Sequence, residues 1–462
     1  MLQHLLWNKL KRWLMIKQQV YFLGIGGIGM SGLAQYFLQA GHDVAGYDRV
    51  ESDLTNMLAT MGAIVLSKDR VDSIPPDYKS KIKTTVVYTP AIPDDSPQLT
   101  YFKNEGFDLF KRAEVLGELS KQMYCLAVGG THGKTTTSSI LAHLLRESGK
   151  KITAFLGGVS SNFGSNFINE GNELMVVEAD EFDRSFLALH PDALCVTAMD
   201  ADHLDVYDNV SNLESSFQAF SSLVKDPKKR WIRYGLPASG TSFGLDQNAN
   251  VRVDNIRIEN GHFVFDFTSS EHNIQNLSFY LPGQHNLMNA AVALAMALSV
   301  GCNPNVLVDA LASFKGVDRR FSIRLQKPVV VIDDYAHHPT EINEMAHAVD
   351  QFYPAAKKTA VFQPHLFSRT RDFCQDFADS LSQFDHTLLL DIYPARELPI
   401  QGVSSASIQE MMNGSVAVIT KSELPYKVAD LDSDVVVIMG AGDIADEVNP
   451  IVEHLKKTSD VG

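Results

Sequence analysis

The segment Gly129-Gly130-Thr131-His132-Gly133-Lys134-Thr135-Thr136-Thr137 carries the densest chemistry in the chain. A glycine-rich turn lets backbone N–H groups approach an anion, and a helix that starts there adds its N-terminal amides and dipole. A lysine in that position reaches the β- and γ-phosphates of a nucleotide, and the hydroxyl after it is a ligand for Mg²⁺. Lys134 and Thr135 therefore predict a triphosphate site, with Gly130, Thr131, His132, Gly133 and Thr136 forming the rest of the cradle. The spacing departs from the strict Walker loop, because Val128 stands where its first glycine belongs. The competing reading is an ordinary glycine-rich turn before a helix.

A second glycine segment, Gly24-Ile25-Gly26-Gly27-Ile28-Gly29, has the G-x-G-x-x-G pattern that opens a helix onto a pyrophosphate. Asp48 closes the next apolar run, near the distance of a ribose-binding acid. Two further apolar runs end in acids. Leu174 to Val177 leads into Glu178-Ala179-Asp180-Glu181, and Ala193 to Thr197 leads toward Asp200-Ala201-Asp202-His203-Leu204-Asp205. Acids at strand C-termini face the crevice where open α/β sheets bind ligands.

These residues need strands ending at loops and helices beginning there. Cys125-Leu126-Ala127-Val128 reads as the strand before the lysine loop, and Ser139 to Leu145 as the helix after it. Gln19 to Leu23, Val44 to Tyr47, Ile64 to Leu66 and Thr85 to Tyr88 give a first α/β block. A second runs from about residue 120. It includes an antiparallel-looking stretch, Val251 to Ile258 and His262 to Phe267, joined at Asn260-Gly261, and an alanine-rich helix from about Asn289 to Val300. A third starts near Arg319, with strands at Val329 to Ile332, Thr359 to Phe362, Thr387 to Leu390 and Val435 to Met439. Strands alternating with helices predict an α/β fold of three doubly wound domains, at 1–119, 120–318 and 319–462.

Composition bounds the partners. A net charge of −15 argues against a general nucleic-acid binder, and 45% hydrophobic residues exclude a disordered chain. The four cysteines, Cys125, Cys195, Cys302 and Cys374, are too scattered for a zinc site or a disulfide framework, which points to the cytoplasm. Residues 1–16 place Leu2, Leu6, Leu10 and Trp13 at helical spacing among Lys9, Lys11 and Arg12. They read as a short extension or an upstream start, with a basic amphipathic surface helix as the alternative. No run of 18 apolar residues occurs, so stable membrane insertion is not expected.

The segments GIGGIGMSG (24–32), GGTHGKTTT (129–137), VEADE (177–181), DADHLD (200–205), PGQHNLMNA (282–290), DDYAHHPTEI (333–342), FQPHLFSRTRD (362–372) and GAGD (440–443) occur in one order along the chain. In that order they resemble the Mur ligase family, and within it the alanine-adding branch. The resemblance implies a UDP-binding Rossmann-like domain, a central ATPase and a C-terminal Rossmann-like domain. It implies a reaction in which ATP activates the carboxylate of UDP-N-acetylmuramate as an acyl phosphate and the amine of L-alanine attacks it. The implied substrates are small molecules, and the chain would act as a monomer or a dimer.

Site residues carried by the resemblance follow. Lys134, Glu178, His203 and Arg320 would serve the chemistry, with Thr135, Glu178 and His203 holding Mg²⁺. The alternative for Glu178 is a solvated strand-end acid, and for His203 a helix-start histidine bonded to Asp202 or Asp205. His285, Asn286, Asn289 and Asp334 would hold the adenosine of ATP, where Asn289 is alternatively a helix N-cap and Arg320 a surface ion pair. Gly24, Gly26, Gly27, Ile28, Gly29, Asp48, Thr89 and Arg112 would hold the UDP-sugar, with an exposed helix-start arginine as the alternative for Arg112. Tyr335, His337, His338, Arg369 and Arg371 would hold the amino acid. Leu366 stands where the family's commonest form has arginine, and Ser211 to Val224 contains no lysine that could be carbamylated. Other readings remain: an NAD-dependent oxidoreductase built on the first glycine loop, a nucleotide-gated regulator, and a ligase of recycled murein tripeptide.

Overall fold

The computed structural model describes residues 16–200, 207, 209–259, 261–395 and 397–459. The amphipathic run through residue 15 and His203 lie outside these. Three sheets organise the described residues. The first contains β1 (Gln19–Leu23), β2 (Asp43–Tyr47), β3 (Ile64–Leu66), β4 (Thr84–Tyr88) and β5 (Asp108–Lys111), in the order β3-β2-β1-β4-β5 and all parallel. The strand order reverses between β1 and β4, so the loops after these two strands flank the crevice where such sheets bind ligands.

The middle sheet comprises β6 (Tyr124–Gly129), β7 (Ile152–Ser160), β8 (Ser165–Asn169), β9 (Leu174–Glu178), β10 (Ala193–Val196), β11 (Arg230–Arg233), β12 (Thr241–Gly244), β13 (Val251–Glu259), β14 (His262–Thr268) and β15 (Asn273–Phe279). Its order is β15-β14-β13-β12-β11-β10-β6-β9-β7-β8. The third sheet comprises β16 (Ser322–Leu325), β17 (Val330–Asp334), β18 (Lys358–Phe362), β19 (His386–Leu389), β20 (Ser415–Val418) and β21 (Val435–Met439), in the order β16-β17-β21-β18-β19-β20. Only β16 in that sheet runs antiparallel. Central parallel strands are covered on both faces and so are apolar throughout, as β10 (ALCV) and β21 (VVVIM) are, with every residue buried.

Helices start where the chemistry-bearing loops end. They are α1 (Ile28–Gln39), α2 (Arg112–Ser120), α3 (Lys134–Glu147), α4 (Gln284–Ser299), α5 (Pro339–Phe352) and α6 (Phe367–Asp372). The described residues cluster into two compact units. One runs to Asp254 and adds Asp266–Gln275 and Asn289–Phe314; the other is Asn255–Phe265, Asn276–Met288 and the chain from Lys315. Within the first unit, α1 packs on β7 and β8. The Asn166 amide, 1% exposed, donates to Ile28 O at 2.5 Å and Ser31 Oγ at 3.0 Å, and accepts from Gln35 at 3.0 Å. A buried amide satisfied on several sides fixes how the helix sits on the strands.

One expectation needs correction, and one strand was not assigned from the sequence. The alanine-rich helix begins at Gln284 and not near Asn289. The Gly283 backbone (φ 93°) turns the chain into it, and Asn286 N already donates to Gly283 O at 3.0 Å. Asn289 is therefore interior to the helix, and the N-cap alternative falls. The strand Ile152–Ser160 was hidden by Gly157-Gly158, which interrupt its apolar pattern.

Candidate active site

The residues expected around the first glycine loop converge. Gly24 (φ 85°) leaves β1, and a Cβ there would meet Thr89 Cγ2 at 2.8 Å. Gly26 N donates to Asp48 Oδ2 at 2.7 Å, so the Asp48 carboxylate braces the loop itself. Gly27 is the N-cap of α1 and has no side chain to satisfy the first-turn amides of Ile28 and Gly29, which suits an anion. Arg112, the first residue of α2, lays its guanidinium against Gly29, where a Cβ would run into it. It also pairs with Asp180 at 2.7 Å, so it is no exposed helix-start arginine.

The second loop leaves β6 between β10 and β9. Val196 registers with Gly129, and Val128 with Glu178, so the loop and the strand-end acids share one edge. Thr131 N donates to Ala198 O at 3.1 Å, Asp200 N donates to Thr131 Oγ1 at 3.0 Å, and the Thr197 hydroxyl donates to His132 O. His132 Nε2 lies 3.5 Å from Asp200. Gly133 (φ 81°) is the N-cap of α3, and a Cβ there would meet Asn289 Oδ1 at 2.7 Å. The glycine is thus required by both conformation and space, and Asn289 stands against the loop.

Lys134 is held within the loop. Its Nζ donates to Gly130 O at 2.5 Å and lies 2.9 and 2.8 Å from the two carboxylate oxygens of Glu181. Glu181 is 1% exposed, and the Tyr207 hydroxyl donates to its backbone carbonyl at 2.6 Å. Burial works against the Lys134 ammonium, but the charges of Glu181, Glu178 and Asp180 outweigh it and hold its pKa above the ordinary lysine value. Burial pushes the Glu181 carboxyl up, to about 7, against the pull of Lys134.

Glu178 accepts from Gly157 N at 3.0 Å, and a Cβ on Gly157 would run into its carboxylate. Thr135 sits in the first turn of α3. Among the described residues no group of three His, Cys, Asp or Glu is placed to hold a metal. A hydroxyl and a strand-end carboxylate form a hard oxygen donor set, which fits a cation that keeps several waters, as Mg²⁺ does.

The residues expected after Arg319 gather in the second unit. Arg319 (φ 57°) and Phe321 (φ 49°) flank Arg320 in left-handed backbone. The guanidinium carbons of Arg319 and Arg320 lie 5.2 and 5.3 Å from the centre of the Tyr335 ring. Asp334 accepts from Phe321 N at 2.7 Å and from Ala336 N at 2.8 Å; burial pushes its carboxyl up to about 6 in spite of Arg320. Arg320 pairs with Glu341 at 3.6 Å, and Glu341 also accepts from His337 N at 2.9 Å. His338 caps α5, accepting from Thr340 N at 3.3 Å. His285 pairs with Glu344 at 3.0 Å, and the Asn286 amide donates to Pro282 O at 2.6 Å.

Arg369 and Arg371, both expected at the amino acid, stand in different surroundings. They are two apart on α6, and such residues do not share a helix face. Arg369 is 6% exposed, whereas Arg371 is exposed and pairs with Asp372 at 2.7 Å. The sequence reading names Asp180 and Glu181 as strand-end acids without giving them a role, and it does not single out Glu341. The first two stood in the quoted VEADE segment, and their adjacency to Glu178 was the available signal.

Residues 19–124 match the model of the Mur ligase family, catalytic domain; residues 128–297 match the Mur ligase middle domain; residues 319–442 match the Mur ligase, glutamate ligase domain. A UDP-N-acetylmuramate–L-alanine ligase of Christiangramia forsetii is 52% identical over 438 residues, 94% of this chain and 97% of that protein. The chain belongs to the Mur ligase family. Its enzymes are ATP-dependent ligases. The same-named ligase of Porphyromonas gingivalis is 43% identical over 95% of this chain and 99% of that protein. A crystal structure of UDP-N-acetylmuramate-alanine ligase from Thermotoga maritima aligns with a TM-score of 0.80 at 26% identity, covering 95% of this chain and 99% of that one. A murein peptide ligase from Psychrobacter arcticus shares the fold, with a TM-score of 0.70, 21% identity and coverage of 95% and 98%. Family membership accounts for both glycine loops together, which a dehydrogenase reading of the first does not.

Proposed function

We propose that this chain joins L-alanine to UDP-N-acetylmuramate, with conversion of ATP to ADP and phosphate. The observation that carries the reading is the likeness to alanine ligases along 94% of the chain at 52% identity. The geometry around Lys134, and that of Asp48 and Arg112 against the first glycine loop, supports it.

A carboxylate does not acylate an amine in neutral water, because its oxide is a poor leaving group. Transfer of the γ-phosphoryl group of ATP to the muramate carboxylate makes an acyl phosphate and releases ADP. The alanine amine then attacks the acyl carbon, the amide forms, and phosphate and a proton leave. Two anions must be brought into line, so the protein supplies cations and amides. Lys134 serves the β- and γ-phosphates, exchanging Glu181 for phosphate oxygens. Gly130, Thr131, His132, Gly133 and Thr136 line the cradle. Mg²⁺, when bound, neutralises phosphate charge; Thr135 and Glu178 would hold it, and His203 is the further ligand of this reading.

Arg320 serves the transferring phosphate, and His285, Asn286, Asn289 and Asp334 the adenosine. Gly24, Gly26, Gly27, Ile28, Gly29, Asp48, Thr89 and Arg112 take the UDP-sugar. Tyr335, His337, His338, Arg369 and Arg371 take the amino acid. Domains at 1–119, 120–318 and 319–462 accompany the reading. So does a cytoplasmic location, which the four free thiols support. Among the described residues no helix is long and apolar enough to cross a membrane. The test is phosphate release from ATP with UDP-N-acetylmuramate, scanned across alanine, glycine and serine. Release should depend on the amino acid and be fastest with alanine. Turnover with a murein tripeptide but none with alanine would transfer the assignment to the tripeptide ligases.

A further inference from the structure

The acids after β9 are tied in two directions. Asp180 Oδ2 pairs with the Arg112 guanidinium at 2.7 Å, and that same guanidinium stands against Gly29 at the start of α1. One peptide further on, Glu181 holds Lys134 through both carboxylate oxygens. Contacts therefore run from one glycine loop to the other: Gly29 to Arg112, Arg112 to Asp180, Asp180 through the backbone to Glu181, and Glu181 to Lys134.

The connecting turn has little slack. Asp180 accepts from Phe182 N at 3.0 Å through its side chain and from Phe186 N at 2.8 Å through its carbonyl. Asp183 and Arg184 follow at φ 53° and 54°, conformations that a non-glycine residue keeps only when its surroundings impose them. A shift of Asp180 therefore moves Glu181 rather than dissipating within the turn. Lys111 and Asp183 pair beside it at 2.8 Å, both substantially exposed, and offer a neighbouring ion pair of similar length.

We propose that Asp180 is a positioning residue that couples the two glycine loops through Arg112, so that each nucleotide substrate tightens the binding of the other. The inference rests on the loop assignments of the proposed function. A diphosphate at the N-terminus of α1 competes with Asp180 for the Arg112 guanidinium. A triphosphate at Lys134 competes with Glu181 for the ammonium. Each event loosens the turn that the other must move, so the cost of moving it is met once instead of twice, and the effect is reciprocal.

The experiment is calorimetric titration of the full chain with UDP-N-acetylmuramate, with and without saturating Mg²⁺ and the β,γ-imido analogue of ATP. The intact protein should bind the sugar nucleotide about 5-fold more tightly or better when the analogue is present, and the reverse titration should give the same factor. In Asp180→Asn and in Arg112→Gln the ratio should fall to within about twofold of one, whatever happens to each separate affinity. Lys111→Gln breaks the neighbouring pair and should keep the ratio of the intact protein. If Asp180→Asn does not fold, Arg112→Gln carries the test. A ratio of one in the intact protein with both ligands bound overturns the inference, and so does a ratio retained in Asp180→Asn or Arg112→Gln, or lost equally in Lys111→Gln. Failure of the intact protein to bind the sugar nucleotide at all overturns the functional reading, and the inference with it.

Discussion

Replacing Lys134 by methionine removes an ammonium while keeping most of its stem, and the pH dependence of the damage follows from Glu181. That carboxyl is 1% exposed and would lose its cation. A buried carboxylate deprived of its partner costs several kcal/mol, so it takes up a proton instead. In the intact protein burial already raises the Glu181 carboxyl from 4.5 to about 7, with Lys134 pulling it down. Without the lysine it rises further. The fold then holds a proton that the unfolded chain has released, and stability falls as pH rises, by about 1.4 kcal/mol per unit. In the intact protein that loss runs from about pH 4.5 and ends near pH 7. In Lys134→Met it continues, so the difference between the two proteins should open above pH 7 and reach at most about 3 kcal/mol at pH 9. For a domain of this size that is a gap of about 6–12 °C in Tm. Thermal unfolding of both proteins from pH 6 to 9 measures it. Adding Glu181→Gln to Lys134→Met should remove the extra slope. A difference independent of pH, or a slope that survives in the double variant, would refute the reasoning.

Other substitutions test other parts of the site. Gly26→Ala would put a Cβ 2.7 Å from Thr55 Cγ2 and 2.9 Å from Asp48 Oδ2. Losing the charge-assisted bond to Asp48 should raise the KM for the sugar nucleotide about 10-fold or more and leave that for ATP unchanged, as steady-state kinetics would show. Asp334→Asn should flatten the fall in stability between about pH 4 and 6, because the buried carboxyl, raised to about 6, binds its proton more tightly folded than unfolded; the removed slope totals at most about 3 kcal/mol. An unchanged profile would show that Asp334 does not titrate there. Leu366→Gly should stabilise the chain by about 1 kcal/mol in thermal unfolding, since Leu366 holds φ 72° and ψ 135°. A lower Tm would mean that packing of the leucine side chain outweighs its backbone strain.

Motif residues close together in the chain were legible from the sequence, because their chemistry depends on local order. Strand, glycine loop, lysine and helix follow in the order read, with the helix starting at Lys134 instead of near Ser139, since the loop's function and its backbone conformation are set by the same few residues. The three α/β blocks were legible for a similar reason: buried parallel strands such as LMVVE and VVVIM are apolar along their length. Periodicity failed where glycines interrupted a strand, at Gly157-Gly158, and it misplaced the start of the helix containing Asn289. Partners far apart in the chain were decided by the tertiary structure alone. Nothing local distinguishes Glu181 from Asp180, yet one is sealed against Lys134 and the other reaches Arg112, 68 residues away. Arg369 and Arg371 read alike in sequence, and helix geometry buries one and exposes the other. A residue's type states what chemistry it can do; whether it is charged, paired or within reach depends on desolvation and on neighbours that only the folded chain assembles.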